Sequence, residues 1–302
     1  MTITDEELER RREYICSSDV GAILGADPWR NAHDVFMEKR HGVHQDSNEA
    51  IDMGNWLERP LVDWAAYEIR QLHRGWKEYT LEYGGEETHG KLMCHPDATL
   101  HLRYEHGEPF SYLIEAKSTS SNEGWGEPMT DAVPLRVLAQ VQVQMMLTGI
   151  TVTYIPVLLP RYGRLSREMF LVEADRKLQR RFFERCEKFW FNHVACDVPP
   201  EVPPSLVTLK HLMREELESP MPVRHELVET YNSLLKEKAA AARASDEAKA
   251  RLLAALGNNT HGITEEGHEI TYKEQARKEV TIPATTFRVL RVKKPKARTT
   301  KE

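Results

Sequence analysis

Cysteine is scarce. Four occur in 302 residues, at positions 16, 94, 186 and 196, and none forms a C-x-x-C pair. That spacing argues against a zinc ribbon. Scattered thiols without a leader fit a reducing cytoplasm. Long apolar runs are missing too: none approaches the roughly 20 residues of a membrane span. The opening "MTITDEELERRREY" is charged from its fifth residue, unlike a secretory signal. The thirteen histidines contain no H-E-x-x-H and no clustered ligand spacing. "GNNTHG" lacks the Gly-Lys-Ser/Thr ending of a phosphate loop, so no ATPase motif is present.

What is present suits a globular chain. The length suggests one large domain, or one domain with an appendage. Hydrophobic residues at 40% and six tryptophans suffice for a core. Net charge is −6, which does not advertise a nucleic-acid binder, but the charge is patchy. Arg10, Arg11 and Arg12 are consecutive, and six basic residues lie between Asp175 and Lys188. The tail from Arg288 is almost purely basic. A metal-dependent nuclease needs acid where the metal sits and base where phosphates run, so overall charge can cancel.

The hydrophobic period predicts helices over 4–13, 32–40 and from residue 50 onward, with Pro60 at a first turn or a kink. Ser17, Ser18 and Asp19 are placed to cap a short helix ending at Gly25. Strands are expected in "KEYTLEY", "KLMCHPDATLHLRY" and "SYLIEAKST". A helix follows, with Pro134 near its start and Gly149 at its end, then a strand pair across "RYGRLSR". Residues 175–194 read as a helix with an aromatic face. "DVPPEVPP" reads as a linker, and a long Ala/Lys/Glu helix or helical hairpin ends at Gly257. The expected layout is a core over 1–196, a Pro-rich linker over 197–204, a helical appendage over 205–257, and a short strand pair with a basic tail over 258–302.

One stretch carries chemistry. Strand residues two apart share a face, so Glu115 and Lys117 point one way and Ala116 the other. Asp97 leaves the end of a neighbouring strand after Pro96. An antiparallel partner would bring Asp97 beside Glu115, and two carboxylates so close need a cation. Mg²⁺ takes carboxylate oxygens plus several waters. Lys117 would stabilise developing negative charge or position an attacking water. That is equipment for phosphodiester cleavage. A lone E-x-K is more often a surface pair; it is the ensemble that raises the reading.

That ensemble resembles the PD-(D/E)XK nucleases, in the lambda-exonuclease and YqaJ-type viral recombinase branch. "RREYICSSDVGAILG" is similar to an N-terminal Arg…Ser-(Asp/Glu) motif, and "GNWLE" to a G-x-x-x-E helix. "HPDATL" resembles S-P-D-G, with Ala98 in place of the usual glycine, and "IEAKS" resembles the E-x-K strand. "AQVQVQMMLTG" resembles an A-Q-V-Q helix. The likeness covers about the first 195 residues, with all five motifs in order.

The resemblance implies a restriction-endonuclease-like α/β fold: a mixed central sheet flanked by helices, with the C-terminal helices appended. It implies Asp97, Glu115 and the Ala116 carbonyl as metal ligands, Lys117 as the catalytic lysine, and Glu58 as the helix-borne acid of the metal or water site. Gln140 would orient near the active site, with Gln144 on its face. Arg11 and Ser18 would hold a terminal phosphate. Trp125, after the active-site strand, and Trp29 are candidates to stack on DNA, with packing against the body an equal reading. The implied cofactor is Mg²⁺ or Mn²⁺, two ions. The implied substrate is an end of double-stranded DNA, cut 5′ to 3′ to leave a 3′ single strand. The implied partners are an annealing protein and further copies in a ring, in the cytoplasm of a bacterium carrying a phage or prophage. The alternatives are a structure-specific or CRISPR-associated endonuclease, and an inactive DNA-binding module. The iron–sulfur form of the former needs four suitably spaced cysteines, which this chain lacks. The intact Asp97–Glu115–Lys117 set argues against the latter.

Overall fold

The computed structural model describes residues 5–43, 48–161, 163–203, 205 and 221–274. The chain divides into two compact units, 1–214 and 215–302. In the first, α1 (Asp5–Arg12) leads to β1 (Ile15–Cys16), a 3₁₀ turn over Ser17–Asp19 and a four-residue α2 (Val20–Ile23). The helices α3 (Ala32–His41) and α4 (Glu49–Leu72) follow. Each is capped at its N-terminus by an asparagine, Asn31 or Asn48, whose side chain accepts two backbone N–H bonds. Pro60 does not end α4, because the stripe Leu61, Val62, Ala65, Ala66 and Ile69 is buried against the sheet and carries the helix through.

The main sheet contains β2 (Glu78–Tyr83), β5 (Ala98–Arg103), β6 (Phe110–Ile114), β7 (Lys117–Ser118), β8 (Val152–Arg161) and β9 (Arg164–Glu173). The short β3 (Glu87–His89) and β4 (Leu92–Cys94) join β1 in a separate three-stranded sheet. The expected single strand over 91–104 is therefore two strands in two sheets. Pro96 has no N–H to give a ladder, and the chain changes sheets there.

Both antiparallel and parallel pairs occur. β5 runs against β2 and β6, whereas β6 and β7 run parallel to β8. Parallel neighbours need a crossover, and α5 (Leu135–Thr148) supplies it. Period-two alternation sends β6 into both layers. Tyr112 and Ile114 meet α4 on one face; Leu113 meets Val137, Val141 and Met145 of α5 on the other. α6 (Arg176–Phe189) packs Phe182, Cys186 and Phe189 against Ala139 and Val143 of α5, together with Ile15 and Val20.

The second unit contains α7 (His225–Leu256), one continuous helix that is exposed along nearly all its length, and the antiparallel pair β10 (His261–Ile263) and β11 (Glu269–Thr271). Gly262 allows β10 to approach Leu256: a Cβ there would lie 2.6 Å from the leucine side chain. The basic tail from Arg288 lies outside the described residues.

Candidate active site

The site forms where β6 loses its ladder. Ile114 pairs with Tyr154 and Lys117 with Val157, in unbroken register, but Glu115 and Ala116 lie between β6 and β7. The Ala116 N–H donates to Asp97 Oδ2 instead, at 2.7 Å. Ala98 pairs with Ile114, so Asp97 emerges next to Glu115. Alternation then turns Glu115 and Lys117 to the α5 side, while Ala116 packs on the α4 side.

Glu115 is buried and heavily bonded. Lys117 Nζ and Gln140 Nε2 each donate to Oε1 at 2.6 Å, and Gln144 Nε2 donates to Oε2 at 2.8 Å. Gln140 and Gln144 are one helical turn apart, so α5 presents both amides to one carboxylate. A carboxylate offers about four lone-pair sites, so these three donors leave room for one more partner. Asp97 has a single backbone donor and faces a cavity of about 260 Å³, lined also by Gly54, Glu58, Ala116, Lys117 and Ser118. Gly54 and Glu58 share a face of α4 through i,i+4 spacing, and a Cβ on Gly54 would reach within 3.7 Å of Ser118 Oγ.

The electrostatics are unbalanced at Asp97. Burial first, then the Glu115 charge, push its carboxyl well above the usual range; Glu58 adds to this, and Lys117 and the Ala116 N–H oppose it. Burial works to lower the Lys117 pKa, but Glu115 and Asp97 outweigh it and the net direction is up. Among the described residues, no three His, Cys, Asp or Glu side chains are grouped to cage a metal. The donor chemistry nevertheless fits a hard divalent cation. Mg²⁺ is ordinarily held by one or two carboxylates with waters completing the shell, and Asp97 sits in a carboxylate cluster short of positive charge.

The remaining sequence candidates separate. Arg11 Nη2 lies 3.4 Å from Ser18 Oγ, which makes them neighbours. Burial works to lower the Arg11 pKa, but Cys16, Asp19 and Glu38 outweigh it and the net direction is up. The helix behind this corner is only four residues long, so a helix-dipole contribution to phosphate binding falls away. Asp19 does not cap α2: its carboxylate accepts the Cys16 N–H at 2.9 Å and pairs with Lys39 at 2.7 Å and Arg30 at 3.1 Å. Trp125 is buried and packs on Phe170 with ring centroids 5.0 Å apart, so it is core and does not stack on DNA. Trp29 is 56% exposed. Sequence reasoning passed over Arg136, whose guanidinium lies 4.8 Å from the Trp29 ring; its position one turn before Gln140 was the available signal.

Residues 8–151 match the model of the YqaJ-like viral recombinase domain. No curated protein matches the chain. Among solved structures, the alkaline exonuclease LHK-Exo from Laribacter hongkongensis is similar at 17% identity, over 65% of this chain and 94% of that one, with a TM-score of 0.45. A phage related exonuclease from Haemophilus somnus 129PT is similar at 13% identity, over 61% and 96%, with a TM-score of 0.38. The mixed sheet, with α4 on one face and α5 on the other, is the mixed, helix-flanked central sheet that the motifs implied. Over residues 8–151, the chain resembles the YqaJ-like viral recombinase family.

Proposed function

We propose that this chain is a metal-dependent DNA exonuclease that degrades one strand of a duplex from its end, 5′ to 3′, and leaves a 3′ single strand for an annealing partner. The family supports a nuclease. One observation carries the catalytic reading: three donors fix Glu115 beside an Asp97 whose charge Lys117 only partly compensates, on the wall of an open cavity.

In this reading Asp97, Glu115 and the Ala116 carbonyl hold Mg²⁺ or Mn²⁺, and Glu58 completes the site across the cavity. Bound there, the metal supplies Lewis acidity and a water of lowered pKa. Lys117, held by Glu115, stabilises charge on the phosphate as it develops. Gln140 and Gln144 fix the Glu115 rotamer, so its position does not depend on the ligand. Arg11 and Ser18 take the 5′-terminal phosphate. Residues 1–196 form the catalytic core in this scheme, and residues 205–302 grip DNA, bring copies together in a ring or recruit a partner.

The deciding experiment is digestion of a duplex labelled at each end in turn, with and without a 5′ phosphate, in Mg²⁺ and in chelator. Release of the 5′ label first, dependent on metal and faster with the phosphate, supports the reading. Cleavage that survives chelation, or that begins in the interior of the duplex, overturns it.

A further inference from the structure

The face of α5 that holds Glu115 has a third member. Gln140 and Gln144 both reach the carboxylate, and Arg136 lies one turn before Gln140 on the same face. Arg136 is close enough to Lys117 for its charge to oppose protonation there. Unlike the glutamines, its side chain makes no ion pair and no hydrogen bond among the described residues, although Asp27 is near enough to act on its charge. Its guanidinium is half-buried and lies over the ring of Trp29. Burial pulls its pKa down, and the nearby Asp27 carboxylate opposes that only in part.

Both side chains are held in place. Gly21 lets α2 close onto α5 at Arg136; a Cβ on Gly21 would lie 2.7 Å from the arginine Cβ. The turn that carries Trp29 is pinned twice. Asp27 Oδ1 accepts the N–H groups of Trp29 and Arg30 at 2.8 and 3.2 Å, and the Arg30 side chain pairs with Asp19 and Glu38 at 3.1 and 2.6 Å. A large indole on a fixed turn, mostly in solvent and with a cation on one face, has no evident packing purpose. It matches a nucleotide: the guanidinium fork suits a phosphate, and the open indole face suits a base.

We propose that Arg136 and Trp29 form a nucleotide subsite near Lys117, on the face of α5 that holds Glu115. Arg136 takes a phosphate of the strand being cut, and Trp29 carries the adjoining base. This pair is separate from the Arg11–Ser18 corner. It sets how the strand lies along α5 rather than where it ends. The choice of DNA strand as ligand rests on the nuclease reading.

The test is binding of a labelled single strand and of a 5′-phosphorylated blunt duplex in chelator, followed by anisotropy over a salt series. Arg136→Gln should lose about tenfold in affinity for the single strand and flatten its salt slope by about 0.7, the value for one phosphate contact. Arg136→Lys should keep the slope and lose part of the affinity. Trp29→Ala should lose about tenfold with the slope unchanged, because stacking releases no counterion. The double variant should lose less than the product of the two, since the side chains touch. Parent affinity and slope in Arg136→Gln overturn the subsite alone. So does a lowered melting temperature with unchanged binding, which makes the pair a packing clamp. A parent protein that binds no DNA overturns the subsite and the nuclease reading together.

Discussion

Asp19 and Asp97 are the same residue in opposite circumstances. Asp19 is fully buried, and burial alone would raise its pKa; Lys39, Arg30 and Arg11 outweigh burial and hold it well below the carboxylate range. Asp97 keeps part of its surface in a cavity, yet burial and Glu115 push it well above that range. The more buried acid is the stronger one, so depth does not decide the matter. Neighbouring charge does. Asp19 faces two cations within 3.1 Å and ties the 3₁₀ turn to α3. Asp97 faces two acids, and Lys117 and one backbone N–H only partly offset them. A balanced carboxylate is architecture, and an unbalanced one is a candidate for a ligand.

The largest effect that would break this contrast is on stability. Asp19→Asn leaves Lys39 buried with only Glu38 as an acidic partner, and breaking such a buried pair costs about 3–5 kcal/mol. Urea unfolding measures it; a loss near zero would mean the network does not hold the turn. The pH dependence has a definite sign. The folded pKa of Asp19 is depressed, so its contribution is fully present above the ordinary carboxylate value and is lost as pH falls through the folded one.

Next in size is catalysis. Lys117→Ala should lower cleavage about 10²-fold or more, because it removes a charge aimed at the reacting phosphate. Circular dichroism and most DNA affinity should survive. A rate near that of the parent would place the catalytic centre elsewhere.

These two regions were unequally legible in the sequence. The period of two in "YLIEAK" and the proline before Asp97 located Glu115, Lys117 and their neighbour, because strand alternation and a missing N–H are local rules. Asp19 read as a helix cap, since its partners Arg30 and Lys39 arrive from beyond a turn and from α3, which no local pattern reports. The i,i+4 glutamines were visible as one face; that both would end on Glu115 depends on how α5 crosses β8. Trp125 left two readings open for the same reason: a loop position says nothing about Phe170, which comes from β9. Helix and strand identities were legible from periodicity, whereas the division of 91–104 between two sheets depends on which strands arrive beside it.

A smaller effect sharpens the comparison at the Arg11 corner, which shares its cations with Asp19. Arg11→Ala should slow cleavage of a 5′-phosphorylated end by about tenfold, the lower range for a charged hydrogen bond. Removing the phosphate should cost a similar factor, and the two losses should not add. Undiminished discrimination between phosphorylated and hydroxyl ends in the variant would move the pocket away from Arg11.

The smallest effect is the most pointed, because its sign is opposite to that at Asp19. Asp97→Asn removes a charge that two neighbouring acids disfavour, so the variant should be more stable than the parent at neutral pH, by about 1 kcal/mol, as is common when functional strain is relieved. The folded pKa of Asp97 is raised, so the native state binds more protons between the ordinary carboxylate value and the raised one, and parent stability falls as pH climbs through that window. The advantage of the variant should therefore vanish in acid and grow toward neutral pH. Added Mg²⁺ should stabilise the parent by mass action and the variant much less, closing the gap from the other side. Melting curves across pH, with and without Mg²⁺, read both effects without any measurement of cleavage. If Asp97→Asn instead melts below the parent at neutral pH without metal, then Asp97 is a structural acid like Asp19, and the contrast between the two regions is gone.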